Sequence, residues 1–124
     1  MHDAIKDEDA AHPIASAWRS TFQQIVKAFV EGDFVLARGI PSVEPIDPAT
    51  ADQIRDYVAD YGETLVELPE DTWKSSVAQW MGDSWDVLVD LWTAESGPSD
   101  LVLDAKVFEA GDGIRVEVGL VYVP

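Results

Sequence analysis

The sequence predicts an α+β domain with two N-terminal helices packed on a four- to five-stranded antiparallel meander sheet. Apolar residues recur every three or four positions before Gly62 and mostly every second position after it. These spacings are the periods of helices and of strands. Turns that contain glycine separate the later segments, as expected for hairpins. Helices followed by a run of strands are typical of the α+β class.

Residues 1–12 are expected to form a flexible acidic tail, because they carry four carboxylates and little apolar content. Residues 13–124 are expected to form a single α+β domain, since their number is common for one domain. Pro13 suits the first turn of a helix, where the N–H that it lacks would have no partner.

The first helix is predicted to run from Pro13 to a stop at Gly32. Its apolar stripe follows helical spacing and consists of Ile14, Trp18, Phe22, Ile25, Val26 and Phe29. Gly32 is the expected left-handed residue that ends the helix. Residues 34–36 are apolar as well, and they fit either a short helical turn or a strand.

The second helix is predicted to begin with Asp47 as its N-cap and Pro48 in its first helical position. Three prolines between residues 39 and 48 mark the preceding segment as a constrained connection. Gly62 ends the helix. The expected buried stripe comprises Ala51, Ile54, Tyr57, Val58 and Tyr61.

Five later segments are predicted as strands: 64–68, 73–81, 85–93, 100–109 and 114–123. Two of them alternate along their length between the core side and the opposite side, which is typical of half-buried antiparallel strands. The turn at Gly111 and Asp112 predicts the pairs Val107–Val116, Leu103–Leu120 and Lys106–Glu117. The turn at residues 82–84 predicts the pairs Val77–Val89, Ser75–Leu91 and Gln79–Val87.

The order of helices and long hairpins resembles the nuclear-transport-factor-two-like superfamily, whose fold is also called the cystatin-like cone. The segment KAFVEGDF at residues 27–34 is similar to the helix, Gly-Asp and apolar sequence common there. The resemblance covers residues 13–124 and implies a pocket between the first helix and the sheet. Residues 69–72 are too few for the further helix that the superfamily usually has. Otherwise the chain resembles the many uncharacterised small bacterial domains of its size.

The charge balance of the chain excludes two classes of partner. Eight basic and 24 acidic residues give a net charge of −16, whereas nucleic acid and anionic membranes attract clustered Lys and Arg. By segment the charge is −3 over residues 1–13, −7 over 14–72 and −6 over 73–124, which sum to −16. The chain has no cysteine, no secretory signal pattern and no apolar run of membrane-spanning length. A cytoplasmic location is therefore the default expectation.

The sequence favours neither a catalytic centre nor a metal or cofactor site. Its two histidines, His2 and His12, both fall in or beside the expected tail. The pocket His–Asp pair that several members of the resembled superfamily use therefore has no counterpart in the body of the chain. Asp90 and Asp104 are expected to approach each other from neighbouring strands. They form either a cation or acid/base site or a solvated acidic face.

Six apolar residues are predicted to share the sheet face opposite the first helix: Trp80, Leu88, Trp92, Val102, Phe108 and Val121. Large uncovered apolar patches usually mark interfaces. We therefore expect a homodimer through this face, which is also where relatives in the resembled superfamily commonly dimerise. The alternative is that the second helix or a connection covers the face within one chain.

Ser75 and Gln79 are polar at positions where the expected register places core residues. Because buried polar groups need partners, these two residues would border a wet cavity together with Tyr57, Tyr61 or Tyr122. Alternatively, the strand that carries Ser75 and Gln79 is an edge whose polar residues stay solvated.

Two functions remain open from the sequence. The first is a non-catalytic acidic interaction protein, such as a toxin-neutralising immunity protein with a basic protein partner. The alternative is a pocket protein that binds or isomerises a small apolar ligand.

Overall fold

A computed structural model describes residues 3–124 and contains two α-helices and a five-stranded antiparallel sheet in this range. The α+β prediction is therefore confirmed. No helix among the described residues is both long and apolar enough to cross a membrane.

Helix α1 spans Ser16–Val30 and buries the stripe that the spacing predicts. It begins three residues after Pro13. Gly32 follows the helix with a φ of +86°, and its N–H donates to the carbonyl of Phe29. The predicted stop is therefore correct, since glycine adopts this left-handed conformation at little cost.

Helix α2 spans Pro48–Tyr61 and has the predicted ends. The Asp47 carboxylate accepts hydrogen bonds from the N–H and the hydroxyl of Thr50, and these bonds lower the pKa of Asp47. Gly62 ends the helix in a left-handed conformation. Ala51 and Ile54 are buried, whereas Tyr57 is 42% exposed. The predicted stripe is therefore only partly correct.

The strands are β1 (His12–Pro13), β2 (Val77–Trp80), β3 (Trp85–Thr93), β4 (Gly97–Ala110) and β5 (Gly113–Tyr122). They lie in the sheet in chain order, as expected for a meander. The predicted strand at 73–81 is shorter than expected, because a 3₁₀ helix occupies Glu70–Lys74. The predicted strand at 64–68 is reduced to a single bridge between Leu65 and Thr93.

One sheet face packs on both helices in a continuous core. We call this the inner face, and on β3 it carries the buried residues Trp85, Val87, Val89 and Leu91. Phe22, Ile25 and Val26 of α1 are fully buried in the same core. Packed side chains therefore occupy the region where we expected a wet cavity.

The predicted register between β2 and β3 is wrong by one residue. The N–H of Met81 donates to the carbonyl of Ser84 at 2.8 Å, so the hairpin turns through two residues instead of three. Val77 consequently lies opposite Leu88, and Trp80 lies opposite Trp85. A shift of one residue turns every side chain to the other face. Trp80 therefore lies on the inner side, and Gln79 lies on the opposite side.

The register between β4 and β5 is predicted correctly near the turn and incorrectly beyond a bulge. Val107 lies opposite Val116 and Lys106 opposite Glu117, as expected, whereas Leu103 lies opposite Val121. The shift falls where Gly119 faces Asp104, since an added Cβ at Gly119 would be 2.8 Å from Asp104 Oδ2. The bulge turns Val121 into the core, where it is 2% exposed, and leaves Leu120 41% exposed.

The segment that we expected to be a flexible tail contacts the sheet. Its last residue, His12, forms β1 together with Pro13, and this strand pairs with β2. The indole N–H of Trp85 donates to the carbonyl of Ile5 at 3.0 Å. The Gln79 side chain donates to the carbonyl of Glu8 at the same distance. Residues 3–13 therefore extend the sheet and cover part of one end of it.

Candidate functional site

The outer sheet face is the side of the sheet opposite both helices. It carries Asp86, Leu88, Asp90 and Trp92 on β3 and the alternate residues Val102, Asp104, Lys106 and Phe108 on β4. Arg115 and Glu117 lie beside them on β5. Four of the six predicted interface residues lie here, namely Leu88, Trp92, Val102 and Phe108. Trp80 and Val121 lie on the inner side because of the two register differences.

Charged side chains shield part of the apolar surface on the outer sheet face. The Arg115 guanidinium lies 4.4 Å from the centre of the Phe108 ring and pairs with Glu117. Lys106 on β4 donates to Asp86, which lies directly opposite it on β3, at 2.7 Å. Leu88, Trp92 and Phe108 are each half-buried. The face is therefore a mixed apolar and charged surface.

Asp104 lies at the centre of the outer sheet face, opposite Leu88 on β3. Burial raises the pKa of its carboxyl, the nearby Asp86 carboxylate raises it further, and Lys106 partly opposes both effects. The electrostatic neighbours of Asp104 are thus Asp86 and Lys106, whereas Asp90 lies diagonally across the strand pair. Among the described residues, no group of three or more His, Asp or Glu residues is arranged to hold a metal ion.

The four residues predicted to line a ligand cavity divide between two distant places. Ser75 is exposed at the end of the 3₁₀ helix, next to β2, and Gln79 lies on β2 itself. Tyr57 and Tyr122 line a cleft at β5, which is the strand at the opposite edge of the sheet. Two strands, β3 and β4, separate these places, so the predicted cavity is not formed by these four residues.

The cleft that contains Tyr57 and Tyr122 lies between α2 and β5. We call it the α2–β5 groove, and it has a volume of about 390 Å³. Its lining on α2 includes Asp56, Tyr57 and Asp60, and its lining on β5 consists of Leu120, Val121 and Tyr122. The groove therefore combines apolar and aromatic surface with two carboxylates.

A second cleft of about 440 Å³ follows the same two elements toward the first turn of α2. It is lined by Glu44, Asp47, Arg115, Glu117 and Val118, among others. Together the two clefts have five carboxylates and one guanidinium in their lining. This side of the molecule is consequently a strongly acidic surface.

His12 forms a contact within the N-terminal segment. Its Nε2 lies 2.9 Å from the Asp7 carboxylate, and this contact lowers the pKa of Asp7. The other histidine of the chain, His2, lies outside the described residues.

Two buried hydroxyl groups that we did not single out from the sequence complete the sheet beside β3. Thr72 donates to the carbonyl of Asp90 at 2.5 Å, and Ser76 accepts from its N–H at 2.9 Å. Both side chains are at most 2% exposed. They satisfy backbone groups as a neighbouring strand would, so their role is structural. The sequence predicted no 3₁₀ helix at Glu70–Lys74, the element that carries Thr72, and therefore gave no indication of this role.

The chain matches the family model of DUF7668, a domain of unknown function, over residues 26–124. The chain belongs to this family. The DUF7668 match shows no link to the nuclear-transport-factor-two-like superfamily. A search of curated proteins and a search of solved structures gave no match. Both the outer sheet face and the α2–β5 groove lie within the DUF7668 domain.

Proposed function

We propose that this protein is a non-catalytic interaction domain that forms a homodimer through its outer sheet face. The observation that supports the proposal is the position of both helices on the inner face. Leu88, Trp92 and Phe108 on the outer sheet face consequently have no helix packed over them. Apolar residues interspersed with paired charges are typical of non-obligate interfaces.

The charges on this face are compatible with self-association. Lys106 and Arg115 each pair with a carboxylate, which leaves Asp90 and Asp104 as the uncompensated acids. A twofold interface places the same patch against itself. Lys106 of each copy can therefore approach Asp104 of the other copy, and the attraction offsets part of the repulsion between two acidic chains.

Sedimentation velocity tests the homodimer. We expect the wild type to be a dimer at about 50 μM, a concentration at which even a weak interface of micromolar Kd is occupied. Leu88→Glu places a further carboxylate opposite Asp104 in the centre of the face and should give a monomer with an unchanged circular dichroism spectrum. Leu120→Glu is the matched control, because Leu120 is exposed and lies in the α2–β5 groove. A wild-type monomer at this concentration overturns the proposal.

We further propose that the domain acts by binding a basic protein, as immunity-type proteins do. The support is the charge of −16, which is spread along the whole chain and not confined to one acidic tail. Opposite electrostatic fields accelerate association and favour complementary partners. A pull-down against the products of neighbouring genes should recover a basic protein in low salt. Recovery of only neutral or acidic proteins counts against this proposal.

A further inference from the structure

Some backbone N–H and C=O groups of β5 point away from β4, toward the outer edge of the sheet. The N–H of Val116 donates to the carbonyl of Ser42 at 2.7 Å, and the carbonyl of Val116 accepts from Glu44 at 2.9 Å. The hydrogen-bonding groups of Val116 therefore point away from β4. Because successive residues of a strand direct these groups to opposite sides, those of Val118 point away from β4 as well.

Beyond the bulge, backbone groups of β5 again point away from β4. The N–H of Val123 donates to the Tyr57 hydroxyl at 3.3 Å, so the groups of Val121, two residues earlier, also point outward. Within residues 3–124, no other backbone segment hydrogen-bonds to Val118 or Val121 at this edge. Unpaired backbone groups at a strand edge are a template for a further strand.

The surface beside this edge is apolar as well as acidic. Tyr57, Leu120 and Val123 are three of the most exposed large apolar residues in the described chain, each between 41% and 42% exposed. Tyr57 and Leu120 face the α2–β5 groove, together with Asp56 and Asp60. An occupant of this groove gains backbone hydrogen bonds on one side and meets carboxylates on the other.

From these observations we infer that the α2–β5 groove binds an extended segment of a partner protein rich in lysine or arginine. The segment adds a strand to the edge of β5, at Val121 in this groove and at Val118 in the adjoining second cleft, which is a common mode of peptide recognition. Its alternate basic side chains reach Asp56 and Asp60. This inference rests on the proposal that the partner is basic, and it is independent of a homodimer through the outer sheet face.

A synthetic ten-residue peptide of alternating lysine and valine is the probe, titrated into the full-length protein and followed by NMR. We expect the amide signals of Val118 and Val121 to shift and to become protected from exchange. A peptide with the same sequence and an N-methyl group at every residue has no backbone N–H to donate on either edge, so it cannot form the normal strand ladder. It should bind at least about tenfold more weakly, as expected when several hydrogen bonds are lost.

Charge variants separate the groove from general attraction to an acidic protein. Asp56→Asn/Asp60→Asn should weaken binding about threefold to tenfold, the usual range for two partly solvated ion pairs. Asp71→Asn/Asp112→Asn removes the same charge elsewhere on the surface and should change binding by less than about twofold.

Three outcomes of the peptide experiments overturn the inference. They are equal losses in both pairs of charge variants, equal binding of the N-methylated peptide, and shifts spread over all acidic surfaces. Self-association of the free protein that protects Val118 and Val121 also overturns it, because the occupant would then be a second copy. If a basic partner still binds while this edge stays unprotected, the proposed function stands and only the groove assignment fails.

Discussion

Replacing Gly119 by alanine should destabilise the protein by about 1 to 3 kcal/mol, the usual cost of forcing an extra methyl group into a packed position. The added Cβ would lie 2.8 Å from Asp104 Oδ2 and 3.1 Å from the Asp104 carbonyl oxygen. The carboxylate can rotate away, whereas the carbonyl belongs to the backbone of β4. Relief of the second contact therefore requires the two strands to separate.

A second substitution isolates the part of this cost that comes from the side chain. Asp104→Ala removes Oδ2 and leaves the carbonyl contact in place. Gly119→Ala should then cost less in the Asp104→Ala background than in the wild type, by about 0.5 kcal/mol or more, a coupling typical of residues in contact. Gly113→Ala is the control, because its Cβ would meet nothing closer than 4.0 Å. That variant should change stability by less than about 0.5 kcal/mol.

Urea unfolding followed by the fluorescence of the five tryptophans measures these differences. The NMR signals of Val121 and Leu120 report which residue is buried in each variant. If Gly119→Ala costs less than about 0.5 kcal/mol while Val121 stays buried, the close approach of Gly119 to Asp104 does not control the bulge. The reasoning from packing would then be refuted.

Three further predictions address the charge, the core and the N-terminal segment. Asp104→Asn should be more stable than the wild type near about pH 7 and equally stable near about pH 3, because a raised folded-state pKa makes ionisation of Asp104 destabilising as pH rises. A constant difference contradicts this. Phe22→Ala should cost about 3 to 5 kcal/mol in urea unfolding. Trp85→Phe removes the hydrogen bond to Ile5 and should speed amide exchange over residues 5–12; unchanged exchange refutes that contact.

The helices could be predicted closely because their ends are specified by local chemistry. Asp47 and Pro48 define the start of α2, and Gly32 and Gly62 adopt the left-handed conformation that terminates a helix. Each of these signals acts within one turn of the chain. They require no knowledge of the residues that pack against the helix.

Each strand pair has two alternative registers, offset by one residue, and the sequence alone does not determine which of them forms. Either Leu120 or Val121 is apolar enough to lie opposite Leu103, and a bulge selects Val121. At the first hairpin, turns of two and three residues both place a glycine near the bend. The shorter turn moves Trp80 toward the core. A shift of one residue in each place determined which of the predicted interface residues lie on the outer sheet face.

The N-terminal segment and the α2–β5 groove could not be predicted for a different reason. Residues 3–13 are mostly polar, and Trp85 and Gln79 reach the backbone carbonyls of this segment. Those contacts involve no apolar pattern. The groove depends on where α2 lies beside β5, which is a tertiary arrangement without a local signal. Tyr57 and Tyr122 were recognised as candidate ligand residues, but their common location was not.

The position of α1 affects how this family should be studied in isolation. The family match begins at residue 26, within the third turn of a helix that starts at Ser16. A fragment cut at that boundary would lose Trp18, Phe22 and Ile25, which are all buried in the core. Such a fragment should aggregate or remain unfolded. The shortest fragment that keeps this core therefore begins upstream of the family match, near the strand formed by His12 and Pro13.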